Sequence, residues 1–191
     1  MALHFTDTEF ADRKARLLAS MQAANIDALL MFRQESMYWL TGYDTFGYVY
    51  FQSLVLTADG RVVLMTRAPD LRQAQNTSNI ADIRIWVDRD GASPADDLRA
   101  ILDELALAGG RLGVEYEAYG LTGRNAMRLN AALDGFATLV DESEMVSRLR
   151  LVKSAAEIAY TRRAGAPAAD ALDAAHALIP SGGDGWHIPA A

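Results

Sequence analysis

The sequence predicts an α/β fold of three layers, α/β/α, in which helices cover both faces of a mixed β-sheet, followed by a linker helix. Three observations carry this. Strand-like stretches, among them the continuous apolar run Ala28–Phe32, which suits a strand covered on both sides, alternate with amphipathic stretches of helical period. Two strand-like stretches, 48–57 and 61–66, flank Ala58-Asp59-Gly60, a hairpin signal that places an antiparallel pair inside the alternation. Beyond Asp141 the alternation gives way to a long helical stretch. The domains expected are 1–150, a linker helix over 151–180 and an unstructured tail over 181–191.

Each element has a local reason. Thr6 and Glu9 form a capping box, and Phe10, Leu17, Leu18 and Met21 recur at helical spacing behind it. Asn25–Asp27 ends that helix, and the run Ala28–Phe32 follows as a buried strand. Residues 33–42 predict a short helix closed by Gly42. Residues 43–47 predict a loop, and the β-branched and aromatic stretch from Tyr48 to Thr57 a strand. In that strand Tyr48, Tyr50 and Gln52 share one face while Val49 and Phe51 share the other. Val49, Phe51 and Trp39 are read as core residues.

Further along, Ile83–Val87 predicts a strand. Ser93-Pro94 supplies an N-cap and a first-turn proline for a helix with Leu98, Ile101, Leu102 and Leu105 on one face. Gly109-Gly110 stops it, and Arg111–Glu115 returns as a strand. A helix over 122–133 and a strand over Ala137–Asp141 complete the sheet. Residues 142–151 predict a short helix. Ser154 and Glu157 then form a second capping box for a long helix kinked at Pro167. Ala168, Leu172, Ala175 and Ile179 share an apolar face that suits a partner surface.

Composition excludes several function classes. The chain has 191 residues, 51% of them hydrophobic and 23% charged, enough for one good core. A net charge of -7 argues against nucleic-acid binding, which needs a surplus of Lys and Arg on the phosphate-facing side. No apolar run approaches bilayer length, and the first residues show neither a basic nor an apolar leader region. Membrane partners are therefore not expected, and a cytoplasmic location is. With no cysteine there is no disulfide framework and no thiolate metal site.

Catalytic motifs are sparse. The three histidines, His4, His176 and His187, have no ligand spacing, so neither a catalytic histidine nor a structural zinc is expected. There is no Gly-x-x-x-x-Gly-Lys, no Gly-x-Gly-x-x-Gly and no Gly-x-Ser-x-Gly. Glu115, Glu117 and Asp141 stand near predicted strand ends, where α/β folds place active groups. Nothing beside them supplies a base or nucleophile, so they are read as solvated or helix-capping. An enzyme using Glu115 or Asp141 is the weakest reading. Lys153 and Glu157 are read as structural. The aromatic cluster Tyr43, Phe46, Tyr48, Tyr50 and Phe51 is the strongest functional candidate, since exposed aromatics among polar residues favour partner contact. Arg67, just past a strand end, has the fork geometry to hold a carboxylate, but the first reading of it is a surface arginine.

Three stretches together carry a family resemblance. Phe10–Leu18 leading to Ile26–Leu30, Ser36–Tyr43, and Leu149–Ile158 with its Arg150-x-x-Lys153-Ser154-x-x-Glu157-Ile158 spacing occur in this order. The combination resembles the N-terminal domain of the pita-bread metallohydrolases: creatinase, prolidase, Xaa-Pro aminopeptidase and relatives. Residues 43–52 are most similar to the creatinase-like and ectoine-hydrolase-like branch.

The resemblance implies a non-catalytic domain that serves dimerisation and covers an active site. It implies that Tyr43, Asp44, Thr45, Phe46 and Tyr48, with Gln52 and Arg67, gate substrate or line the interface of a homodimer. It also implies that chemistry resides in a larger catalytic domain of the same enzyme, missing here through truncation, proteolysis or gene interruption. There two divalent metals, such as manganese, cobalt or zinc, would be held by Asp, His and Glu; no cofactor is expected in this chain. The alternative from another class is a free-standing α/β binding or regulatory module.

Overall fold

Residues 3–178 are described by a computed structural model. The chain divides after Leu151 into two units. The first is a six-stranded mixed sheet of order β4-β3-β2-β1-β5-β6, with helices on both faces. Its strands are β1 (Ala28–Met31), β2 (Ser53–Thr57), β3 (Val62–Arg67), β4 (Asp82–Trp86), β5 (Arg111–Val114) and β6 (Thr138–Asp141). Its helices are α1 (Asp7–Ala23), α2 (Gln34–Thr41), α3 (Leu71–Thr77), α4 (Pro94–Glu104), α5 (Gly123–Leu133) and α6 (Met145–Arg150).

The hairpin signal is realised. β2 and β3 pair antiparallel, with Leu54 opposite Leu64 and Val55 opposite Val63. β1 pairs antiparallel with β2 and parallel with β5, which makes the sheet mixed. Side-chain alternation then builds two cores. Ala28, Leu30, Val55, Val63, Met65, Leu112 and Val114 meet α4 and α5 on one face. Leu29, Met31, Leu54, Leu56 and Leu64 meet α1, α2, α3 and α6 on the other. Two-sided burial is why these strands read as continuous apolar runs.

Several local readings hold. Half of the first capping box forms: the Thr6 hydroxyl accepts the Glu9 amide at 3.2 Å, but the Glu9 carboxylate turns to Arg13 at 3.0 Å instead of back to the Thr6 amide. The buried faces of α1 and α4 carry Phe10, Leu17 and Met21, and Leu98, Ile101 and Leu102. α2 ends at Gly42 in a left-handed conformation (φ 81). Ser93 precedes Pro94 as expected but makes no side-chain capping bond.

Four readings need correction. The strand expected from Tyr48 begins only at Ser53, because Gly47–Val49 closes a 3-10 turn. The two-face alternation drawn for residues 48–52 therefore fails: Tyr48, Val49 and Tyr50 are exposed while Phe51 and Gln52 are buried. Val49 is not a core residue, whereas Phe51 and Trp39 are. The helix α3 was not foreseen; it follows a turn made by Ala68-Pro69-Asp70.

The second unit, taken by itself, contains α7 (Ala155–Leu178). Its start is a reciprocal capping box: the Ser154 amide donates to the Glu157 carboxylate at 2.8 Å and the Glu157 amide donates to Ser154 Oγ at 3.2 Å. Helical structure continues through Pro167. Leu172 of the expected apolar stripe is exposed; Ile179, His187 and the expected tail lie outside the described residues.

Candidate functional site

The connection from α2 to β2 is built as an exposed tip held on buried anchors. Tyr43 is fully buried, and its hydroxyl donates to Gln52 Oε1 at 2.9 Å and lies 3.2 Å from Thr66 Oγ1. Burial pushes the Tyr43 hydroxyl up from its ordinary range, outweighing the hydrogen bonds that would lower it. The polar tip of this ring is thus satisfied inside the core, as a buried tyrosine requires. Asp44 is tied through its backbone, its amide donating to Thr77 Oγ1 at 3.1 Å.

Thr45 is buried beneath the tip. Its hydroxyl donates to Asp70 Oδ1 at 3.1 Å and accepts the Gly47 amide at 2.9 Å. Phe46, between them, is 87% exposed. The chain then turns through Gly47–Val49, and the Tyr48 ring meets Tyr119 edge-on with centroids 6.0 Å apart. Tyr50 is covered by Arg67, whose guanidinium lies 3.8 Å above the ring. Arg67 also lies 3.4 Å from Asp88 and 6.0 Å from the Trp86 ring. It stacks as an aromatic partner, with only 17% of its side chain exposed.

The residues singled out from sequence thus separate by role. Phe46 and Tyr48 present apolar surface to solvent. Tyr43, Thr45 and Gln52 are interior supports rather than surface groups, a placement the loop reading did not foresee. Two supports had no obvious sequence signal. Asp70 stands on the turn before α3, and Gly120 follows β5. A Cβ on Gly120 would lie 2.5 Å from the Tyr50 carbonyl oxygen and 3.1 Å from that of Tyr48, so only glycine allows the two loops to touch.

Beside this loop, a cleft of about 1100 Å³ opens past the ends of β1 and β5, lined among others by Phe32, Arg33, Tyr48, Glu117 and Tyr119. These neighbouring parallel strands lead the chain to opposite sides of the sheet, the position where open α/β sheets form crevices. Glu115, which follows β5, is fully buried. The carboxylate accepts the Phe32 and Arg33 amides at 3.1 and 3.0 Å and the Ser36 hydroxyl at 2.5 Å. Burial nonetheless raises its pKa to about 7, outweighing those three hydrogen bonds. Through these bonds Glu115 ties the β1–α2 junction to the end of β5 from the interior rather than standing in solvent.

Glu117 and Asp141 behave differently. Arg33 donates to Glu117 Oε2 at 2.8 Å and to Ser147 Oγ at 2.6 Å, clamping the β5 end to α6. The Asp141 carboxylate accepts the Ser143 hydroxyl at 2.5 Å and the Ser143 amide at 3.0 Å, which hold its pKa below the usual range. Among the described residues no three His, Asp or Glu side chains converge in a way that could hold a metal ion. The described residues do not fit the paired divalent metals of the resembled enzymes.

Residues 13–152 match the family model of the creatinase/prolidase N-terminal domain. The chain belongs to this family. A hydrolase/peptidase of Sinorhizobium fredii, itself uncharacterized, is 33% identical over 170 residues, covering 85% of this chain and 43% of that protein. The ectoine hydrolase of Halomonas elongata is 28% identical over 179 residues, covering 86% of this chain and 43% of its own length. Among solved structures, the Xaa-Pro dipeptidase of Bacillus anthracis superposes with a TM-score of 0.69 at 22% identity, over 90% of this chain and 43% of that one. This creatinase/prolidase-type domain thus spans less than half the length of the curated relatives it matches. No helix among the described residues is long and apolar enough to cross a membrane.

Proposed function

We propose that this chain is the non-catalytic N-terminal domain of a cytoplasmic, homodimeric metal-dependent hydrolase of the Xaa-Pro peptidase, creatinase or ectoine-hydrolase type. Its task is assembly and the covering of an active site. The observation that carries the reading is the extent of the match: most of this chain corresponds to 43% of a hydrolase/peptidase and of an ectoine hydrolase. The remaining length of those relatives is where a catalytic domain with two divalent metals belongs. There the metals would activate a hydroxide and polarise the scissile bond.

The loop supports the covering role. An aromatic ring 87% exposed on an otherwise anchored segment is costly in water and gains when a partner buries it. Phe46 and Tyr48 are the contact residues of this proposal, with Asp44 at the base of the tip. Tyr43, Thr45, Gln52 and Arg67 support them.

The purified chain, supplied with manganese and offered an Xaa-Pro dipeptide, creatine or ectoine, is expected to hydrolyse none of them. Turnover of any of the three that follows the purified chain would overturn the reading.

A further inference from the structure

We infer that Asp70 is a positioning residue: through Thr45 it latches the loop 44–50 so that Phe46 is presented in one preset conformation. The inference rests on the proposed covering role, and it assigns the part that makes the cover rigid.

The geometry is a relay from outside the loop to its tip. Asp70 stands at the start of α3, yet its carboxylate makes no capping bond to that helix. It reaches across to accept the Thr45 hydroxyl at 3.1 Å. That hydroxyl, its proton committed to Asp70, offers its lone pairs to the Gly47 amide at 2.9 Å. The two bonds bracket Phe46 on both sides. Because Thr45 is buried, water competes poorly for either bond, and losing one leaves a polar group unpaired.

Gly47 completes the latch by its small size. A Cβ at this position would fall 2.5 Å from Asp70 Oδ2 and 2.7 Å from Oδ1. Any larger residue would push the carboxylate off Thr45. On the far side of the tip, Arg67 over Tyr50 and Gly120 beneath the Tyr48 and Tyr50 carbonyls fix where the loop rejoins the sheet. An exposed phenylalanine on a loose loop would lose conformational entropy on docking. A latched one has lost it already, so more of its burial becomes affinity.

The test is amide hydrogen exchange on the whole chain, comparing wild type with Thr45→Val, Thr45→Ser and Asp70→Ala. Thr45→Val keeps shape and removes the hydroxyl; Thr45→Ser keeps the hydroxyl. The latch predicts that the Gly47 amide exchanges about tenfold faster in Thr45→Val and several-fold faster in Asp70→Ala. Thr45→Ser should return it to within about twofold of wild type, and the Leu54 and Leu64 amides should stay unchanged as internal controls. Gly47 exchange within twofold of wild type in both Thr45→Val and Asp70→Ala would overturn the latch. Solution mass measured on the same samples separates the two ideas: a loosened loop with unaltered self-association supports the latch while counting against the loop as an assembly surface.

Discussion

The carboxylate of Glu115, at the end of β5, lies 2.5 Å from the hydroxyl of Ser36 in α2, and both side chains are fully buried. Glu115 Oε2 already accepts two backbone amides, so a proton taken up by this group belongs on Oε1. There it can be donated to Ser36, whose oxygen becomes the acceptor. The pair can therefore exist in two protonation states without losing a partner.

This gives a pH dependence with a defined sign. The folded-state pKa is raised from 4.5 to about 7, so the native state binds the proton more tightly than the unfolded chain. The stability this contributes is complete below about pH 4.5 and is lost as pH rises through 7. Relative to Glu115→Gln, which keeps an acceptor toward the amides and a donor toward Ser36, wild type should lose about 3 kcal/mol between pH 5 and 9. Urea unfolding of both proteins across that range checks it. Parallel pH profiles would mean the carboxylate is as well solvated in the fold as out of it.

Phe46 and Tyr43 should respond oppositely to mutation although they sit three residues apart. Phe46→Ala removes surface that faces water in the single chain and, measured at concentrations where the chain is monomeric, should change stability by no more than about 0.5 kcal/mol. Tyr43→Phe strips the hydroxyl from a buried network with Gln52 and Thr66 and should cost about 1–3 kcal/mol. Equal costs in thermal or urea unfolding would contradict this division into tip and support.

Gly120→Ala tests the contact between loops. The added methyl would collide with the Tyr50 carbonyl oxygen, a backbone atom that cannot simply rotate away. A loss of about 1–3 kcal/mol is expected, with faster amide exchange around Tyr48 and Tyr50. A neutral substitution would show that the two loops part easily.

Metal should leave this chain indifferent. Since the described residues offer no convergent ligand set, saturating manganese or zinc is expected not to raise the melting temperature, and a chelator not to lower it. A metal-dependent rise reversed by the chelator would contradict the account, because a ligand bound only by the native state must stabilise it.

Much of the fold was legible because its signals are local. The Asp59-Gly60 turn announced the β2–β3 hairpin, and the apolar run Ala28–Phe32 announced a strand with two covered faces. The capping residues Thr6 and Ser154 marked helix starts correctly. What escaped depends on contacts distant in sequence. Tyr48–Gln52 has strand composition, yet Gly47 packs on Asp70 and Gly120 packs on Tyr50, and these contacts accompany a turn in place of pleated chain. Tyr43 reads as a loop aromatic, and only the arrival of Gln52 and Thr66 beside its hydroxyl allows it to be buried. The role of Glu115 likewise needed β1 and β5 side by side, an adjacency that 80-odd residues of intervening chain conceal.

The central claim is that the tip of the aromatic loop is an assembly surface. It is tested most directly by light scattering on the chain and on Phe46→Asp as they elute from a sizing column. The account predicts a dimer for wild type and a monomer for Phe46→Asp, with both folded and the wild-type unfolding temperature rising with protein concentration while that of Phe46→Asp does not. A wild-type monomer at every concentration, or a dimer that Phe46→Asp leaves intact, would contradict it.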